Sequence, residues 1–159
     1  MADWHPTAYR THTLGEIQRN GADLVGSEVT VCGFMEANRG KGAICFVDLR
    51  DGTGKLQIFL KGDAIGEESL DLVQRMTRES TLQFTGVVAQ KRPPKLKDGE
   101  TPPPPAYEIV AHSVNVLTRA NVPLPLGITD TVSIGLDTRL DNRFLDLRRA
   151  HVNAMFTLR

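Results

Sequence analysis

The stretch Ile44-Cys45-Phe46-Val47-Asp48-Leu49-Arg50-Asp51-Gly52-Thr53-Gly54-Lys55-Leu56-Gln57-Ile58-Phe59-Leu60 alternates apolar and polar side chains on either side of a turn-forming tetrapeptide. Successive strand side chains point to opposite faces, so residues 43–50 put Cys45, Val47 and Leu49 on one face and Ile44, Phe46, Asp48 and Arg50 on the other. The reverse register would bury Asp48 and Arg50, which makes the Cys45 face the core face. Residues 55–60 repeat the pattern, with Leu56, Ile58 and Leu60 inward and Lys55, Gln57 and Phe59 outward. Asp51-Gly52-Thr53-Gly54 predicts a tight turn, and the two strands form a hairpin.

Outward from this hairpin, residues 28–37 (EVTVCGFMEA) read as a preceding strand and 38–42 (NRGKG) as a loop. The period changes over 66–80. Here Leu72, Val73 and Met76, with Ile65 just before, share a helical face, Glu67 and Glu68 fall in the first turn, and Arg75 and Arg78 in the last. Residues 81–90 (TLQFTGVVAQ) and 106–117 (AYEIVAHSVNVL) return to strand composition, separated by a loop at 91–105 that holds six of the chain's nine prolines. Three strands, one helix and two strands is the element order of the five-stranded Greek-key OB-fold barrel, an all-β fold with one helix. The expected organisation is an N-terminal segment at 1–20, the barrel at 21–120, a proline-punctuated linker or hinge at 121–149, and the start of a helix at 150–159.

The 159 residues are 40% hydrophobic and 24% charged, which suits a packed soluble domain. Lys+Arg and Asp+Glu are both 19, so any attraction to a polyanion must come from a local patch. No apolar run reaches the roughly 18 residues of a membrane span, and the N-terminus lacks the blocks of a signal peptide, so the expectation is a cytoplasmic protein without a membrane partner. Cys32 and Cys45 lack metal-ligand spacing and predict two reduced, buried thiols. No phosphate loop, HExxH or GxSxG occurs, and His5, His12, His112 and His151 are scattered, so no catalytic residue, metal or cofactor is expected in this span.

OB barrels bind ligands across strands two and three, flanked by the loops joining strands one to two and four to five. On that rule Phe46 presents an aromatic ring on the binding face, next to the outward Gln57. Unpaired bases stack on such rings while polar side chains read their edges. For Phe59, surface stacking and core packing remain equal alternatives. Arg39 and Lys41 in the first loop, with Lys91, Arg92, Lys95 and Lys97 in the long loop, place cations where a phosphate backbone would pass. Glu108, opening strand five at the same edge, could accept from guanine N–H groups, although the residues alone favour a solvated glutamate.

VCGF (31–34), ICFVDLRD (44–51), GKLQIF (54–59) and above all LDTRLDNRFLDLRR (136–149) resemble the N-terminal region of class II aspartyl-tRNA synthetases, in the archaeal and eukaryotic form. The resemblance covers nearly the whole chain and implies an anticodon-binding domain whose partner is the tRNA anticodon stem-loop. It implies that Phe46 stacks on the central anticodon uridine, that Gln57 hydrogen-bonds anticodon bases, that Glu108 serves the first anticodon base and that Arg39 contacts the anticodon from the first loop. It further implies a parent enzyme, dimeric through a catalytic domain beginning at 150–159, that uses ATP and Mg to activate aspartate; this span alone would then be inactive. Whether the asparagine tRNA is also accepted stays open. Rival readings are a free-standing OB protein binding single strands or acting as a regulatory paralogue, and the equivalent domain of an asparagine or lysine tRNA ligase.

Overall fold

In the computed structural model, which describes residues 7–93, 103–128 and 133–158, five strands close into a barrel in the order β1-β2-β3-β5-β4. β1 (Glu28–Lys41) serves two neighbours in turn. Its first half pairs antiparallel with β4 (Thr81–Gln90) and its second half with β2 (Ile44–Arg50), with an irregularity between Met35 and Ala37 where the strand changes partner. β2 and β3 (Lys55–Lys61) form the expected hairpin, in which Asp48 faces Gln57 and Phe46 faces Phe59. β5 (Tyr107–Thr118) pairs antiparallel with β4 and parallel with β3, which closes the barrel.

Alternation along β2 and β3 is as the sequence predicts: Cys45, Val47, Leu49, Leu56, Ile58 and Leu60 are buried, and the intervening side chains are half-buried or exposed. Together with Val31, Phe84 and Ile109 they fill the interior. Cys45 is buried, but Cys32 lies on the outer face of β1 and is only half-buried. Burial pushes both thiols above their ordinary range.

Three expectations are corrected. The residues expected to form a loop at 38–42 instead continue β1 to Lys41, leaving Gly42 and Ala43 as the turn. The single helix expected at 66–80 is α2 (Gly62–Ile65) followed by α3 (Glu67–Gln74), which buries Leu70 and Val73. These helices hold the β1–β2 arm: Asn38 Nδ2 donates to the carbonyls of Val73 and Gln74 at 2.8 and 3.0 Å, and Gln74 Nε2 donates to Gly42 O at 3.1 Å. A further helix, which the sequence reading lacks, is α1 (Leu14–Leu24); its Leu14 and Ile17 are fully buried in the barrel core, so part of 1–20 belongs to the barrel.

One carboxylate ties α1 to the hairpin. Asp51 Oδ1 accepts from the backbone N–H groups of Thr53 and Gly54 at 2.7 and 2.9 Å, and its Oδ2 accepts from Leu14 N at 2.9 Å. Thr13 caps α1 in a reciprocal box with Glu16, whose carboxylate accepts from Thr13 N at 2.7 Å. That backbone bond holds the Glu16 carboxyl below its ordinary range. A depressed pKa stabilises the fold above the unfolded value of 4.5 and ceases to do so as pH falls through the folded value. We predict that Glu16→Ala costs about 0.5–1 kcal/mol at neutral pH, and that the difference from wild type shrinks at an acid pH below the unfolded value, as the carboxylate takes up its proton. Urea melts at both pH values check this, and a pH-independent difference would remove the carboxylate from the explanation.

The chain divides into two compact units, Met1–Ala120 and Asn121–Arg159. The second unit, where the expectation was a linker or hinge at 121–149 and a helix start at 150–159, carries α4 (Leu136–Asp141) and α5 (Arg143–Asp146) before α6 (Ala150–Thr157), with Leu126, Ile128 and Leu145 in a small apolar cluster. At its centre Asp146 is fully buried and grips Arg139 through two bonds of 2.9 and 3.2 Å, with Arg143 and Arg149 at 3.6 and 3.7 Å. Arg139 holds the Asp146 carboxyl below its ordinary range.

Candidate nucleic-acid interface

Strand register assembles the outer face of the barrel into two rows. Arg39, Phe46, Phe59 and Val110 lie side by side across β1, β2, β3 and β5; Ala37, Asp48, Gln57 and Glu108 form the adjacent row. Residues two apart on a strand share a face, so the rows present one surface containing the sequence-predicted Arg39, Phe46, Gln57, Phe59 and Glu108.

At its centre the Phe46 and Phe59 rings stack, with centroids 4.9 Å apart and planes inclined by 26°. Phe59 therefore faces outward, and Lys61 Nζ sits 5.9 Å from its ring centroid. Stacking restricts both rings, so a base settling on Phe46 would meet a platform already ordered. Arg39, reaching from the extended β1 arm, donates to Asp48 Oδ1 at 3.1 Å. Asp48 is 4.0 Å from Lys55 Nζ, which contacts Glu36 at 2.7 Å. These mutual pairs leave the arm carrying alternating charge rather than a uniformly cationic stripe.

Around Gln57, whose Oε1 accepts from the Lys91 ammonium, lies an open cleft of roughly 410 Å³, lined also by Gln18, Lys55, Pro105 and Tyr107. Lys91 is thus engaged with the sheet, whereas Arg92 beyond it is exposed. Lys41 stands exposed at the end of β1. Lys95 and Lys97 lie outside the described residues. Sequence reasoning put Asp48 on this face without giving it a role and missed Lys61 and Tyr107; Lys61 was legible, because the alternation that points Phe59 outward also points Lys61 outward. Among the described residues no cluster of three or more His, Cys, Asp or Glu side chains could hold a metal, and no helix is long and apolar enough to cross a membrane.

Comparison with known proteins places this geometry. The aspartate–tRNA(Asp/Asn) ligase of Methanosarcina barkeri is 39% identical over 150 residues, 94% of this chain and 32% of the relative. The corresponding ligase of Methanococcus maripaludis is 33% identical over 160 residues, covering 100% of this chain and 33% of the relative. The solved aspartyl tRNA synthetase from Entamoeba histolytica superposes with a TM-score of 0.70 at 28% identity, over 85% of this chain and 32% of that one. An asparaginyl-tRNA synthetase from Pyrococcus horikoshii, at 23% identity and a TM-score of 0.72 over 92% of this chain and 31% of that one, shares the fold. The chain spans about a third of the length of the curated relatives it matches. Residues 29–117, which run from β1 to β5 and cover more than half of the sequence, match the family described as OB-fold nucleic acid binding domain, and this chain belongs to that family.

Proposed function

We propose that the barrel is the anticodon-binding domain of an aspartate-tRNA ligase, and that its outer face receives the anticodon loop. The observation that carries the reading is the juxtaposition of a stacked aromatic pair, Phe46 and Phe59, with the polar side chains of Gln57 and Glu108 on adjacent strands. Such a surface matches unpaired bases, which offer a π-face and a hydrogen-bonding edge. The relatives named above, aspartate ligases for both the aspartate and asparagine tRNAs, support the choice of RNA and suggest that both are accepted here. In this reading Phe46 stacks on the central base, Gln57 and Glu108 read base edges, and Arg39, Lys41, Arg92 and Lys95 attend the backbone. The parent enzyme would work in the cytoplasm as a homodimer, using ATP and Mg to activate aspartate before transfer to the tRNA end. This span would bind RNA without forming the adenylate.

The test is binding of the chain to aspartate, asparagine and lysine anticodon stem-loops at one salt concentration, since affinity for polyanions is interpretable only at fixed salt. Aspartate and asparagine anticodons share their first two bases, whereas the lysine anticodon differs from both at the first. We expect the first two loops to bind more tightly than the third by at least about tenfold. Equal, weak binding to all three would leave a generic single-strand binder and defeat the anticodon assignment.

A further inference from the structure

Lys91 is held at the point where the chain leaves β4. Its backbone N–H donates to Ala106 O at 2.8 Å, and its half-buried ammonium donates to Gln57 Oε1. An ammonium has three donors and no acceptor, so only the carbonyl end of an amide can face it. The Gln57 side chain is thereby oriented without ambiguity, and its NH2 group is the end left for another partner. Gln57 stands on the outer face between Asp48 and Glu108, at the wall of the cleft that Lys91 also lines.

A glutamine without such a neighbour can turn either end of its amide toward a base, pairing with a carbonyl or an amino group alike. Held by one end, it offers only donors. We infer that Lys91 is a positioning residue that sets the hydrogen-bond polarity of Gln57, so that the interface selects a keto base edge, uracil O4 or guanine O6, over the amino edge of cytosine or adenine where Gln57 reads. Facing an amino group, the fixed NH2 would leave two donors opposed, and an unmade hydrogen bond in a desolvated contact disfavours the wrong base more than a made one favours the right base. The inference rests on the anticodon reading proposed above, and it assigns Lys91 to base selection rather than to the phosphate backbone.

Two measurements on the whole chain test it. The first needs no RNA: NMR of the Gln57 side-chain amide in wild type, Lys91→Met and Lys91→Glu. Methionine keeps much of the apolar stem and removes the charge. We expect the Gln57 NH2 resonances to shift and average in Lys91→Met; unchanged resonances would overturn the inference whatever the RNA does. The second is affinity for anticodon stem-loops in which each loop base is exchanged in turn, U for C and G for A. At one position the wild-type keto preference, roughly tenfold, should fall toward unity in Lys91→Met. It should invert in Lys91→Glu, whose acceptor-only carboxylate draws the NH2 inward. If Lys91→Met weakens every loop alike, lowers the salt slope by about one and leaves the base ratio intact, Lys91 is a phosphate contact and the inference is wrong. Amide resonances that respond to Lys91→Met while wild type prefers no loop would instead defeat the anticodon reading, and base selection with it, leaving the amide lock as a purely structural contact.

Discussion

Phe84→Ala should lower the unfolding free energy by about 3–5 kcal/mol, the largest single loss expected in the barrel. Phe84 is the largest of the fully buried side chains. It lies on β4 opposite Val31 of β1 and Val114 of β5, so its ring contacts both strands that flank β4 in the closed sheet. Truncation removes most of the ring's transfer free energy and leaves a void that hydrogen-bonded strands on both sides cannot collapse to fill. A domain of this size is stable by only about 5–15 kcal/mol, so the variant stands near the edge of folding. Guanidinium melts of wild type and variant give the number directly. A loss below about 1 kcal/mol would mean that the interior is loosely packed and that the barrel is held mainly by its strand ladders.

Phe46→Ala is the complementary case, with little cost to folding and a large cost to binding. The side chain points outward from β2 and is half-buried, so its removal opens no core cavity. We expect affinity for the preferred anticodon stem-loop to fall by about 1–3 kcal/mol, a factor of roughly 5 to 150. Phe46→Trp should restore most of it, since stacking needs an aromatic face rather than a particular ring. Titration at fixed salt, with the melting midpoint as a control, separates binding from stability. Less than a twofold change in a folded variant would remove Phe46 from the binding face and with it the central contact of the proposed interface.

The parts of the fold that follow from period alone were legible. In β2 and β3 every second residue is apolar, and the structure buries those and no others. The parts that were not legible depend on contacts made across the chain. Asn-Arg-Gly-Lys-Gly at 38–42 has turn composition, yet Asn38 donates to the Val73 and Gln74 carbonyls of α3 and the Gln74 side chain donates to Gly42 O, contacts that hold the segment extended. α1 was missed because Gly15 and Gly21 lower its helical propensity. Both glycines answer to packing: a Cβ on Gly15 would lie 2.6 Å from Thr53 O, and one on Gly21 2.2 Å from the Tyr107 ring. At the site, strand parity was sufficient for Phe46 and Gln57, and for Phe59 once the strand was known. The partnership of Lys91 with Gln57 was hidden because 91 follows β4 while 57 lies in β3, and only barrel closure brings them together.

The closing contact has a consequence for how the domain comes into being. β3 and β5, the one parallel pairing among the described strands, are separated in sequence by two helices, β4 and the long proline-bearing loop, and Gln57 and Glu108 sit opposite one another on that seam. Joining segments so distant in the chain is slow, because loop entropy must be lost before the contact repays it. Glu108 and Lys91 therefore join the outer face only at the step that seals the barrel, whereas Phe46, Phe59 and Gln57 are set by the local hairpin, so a partly folded chain carries only half of the proposed interface.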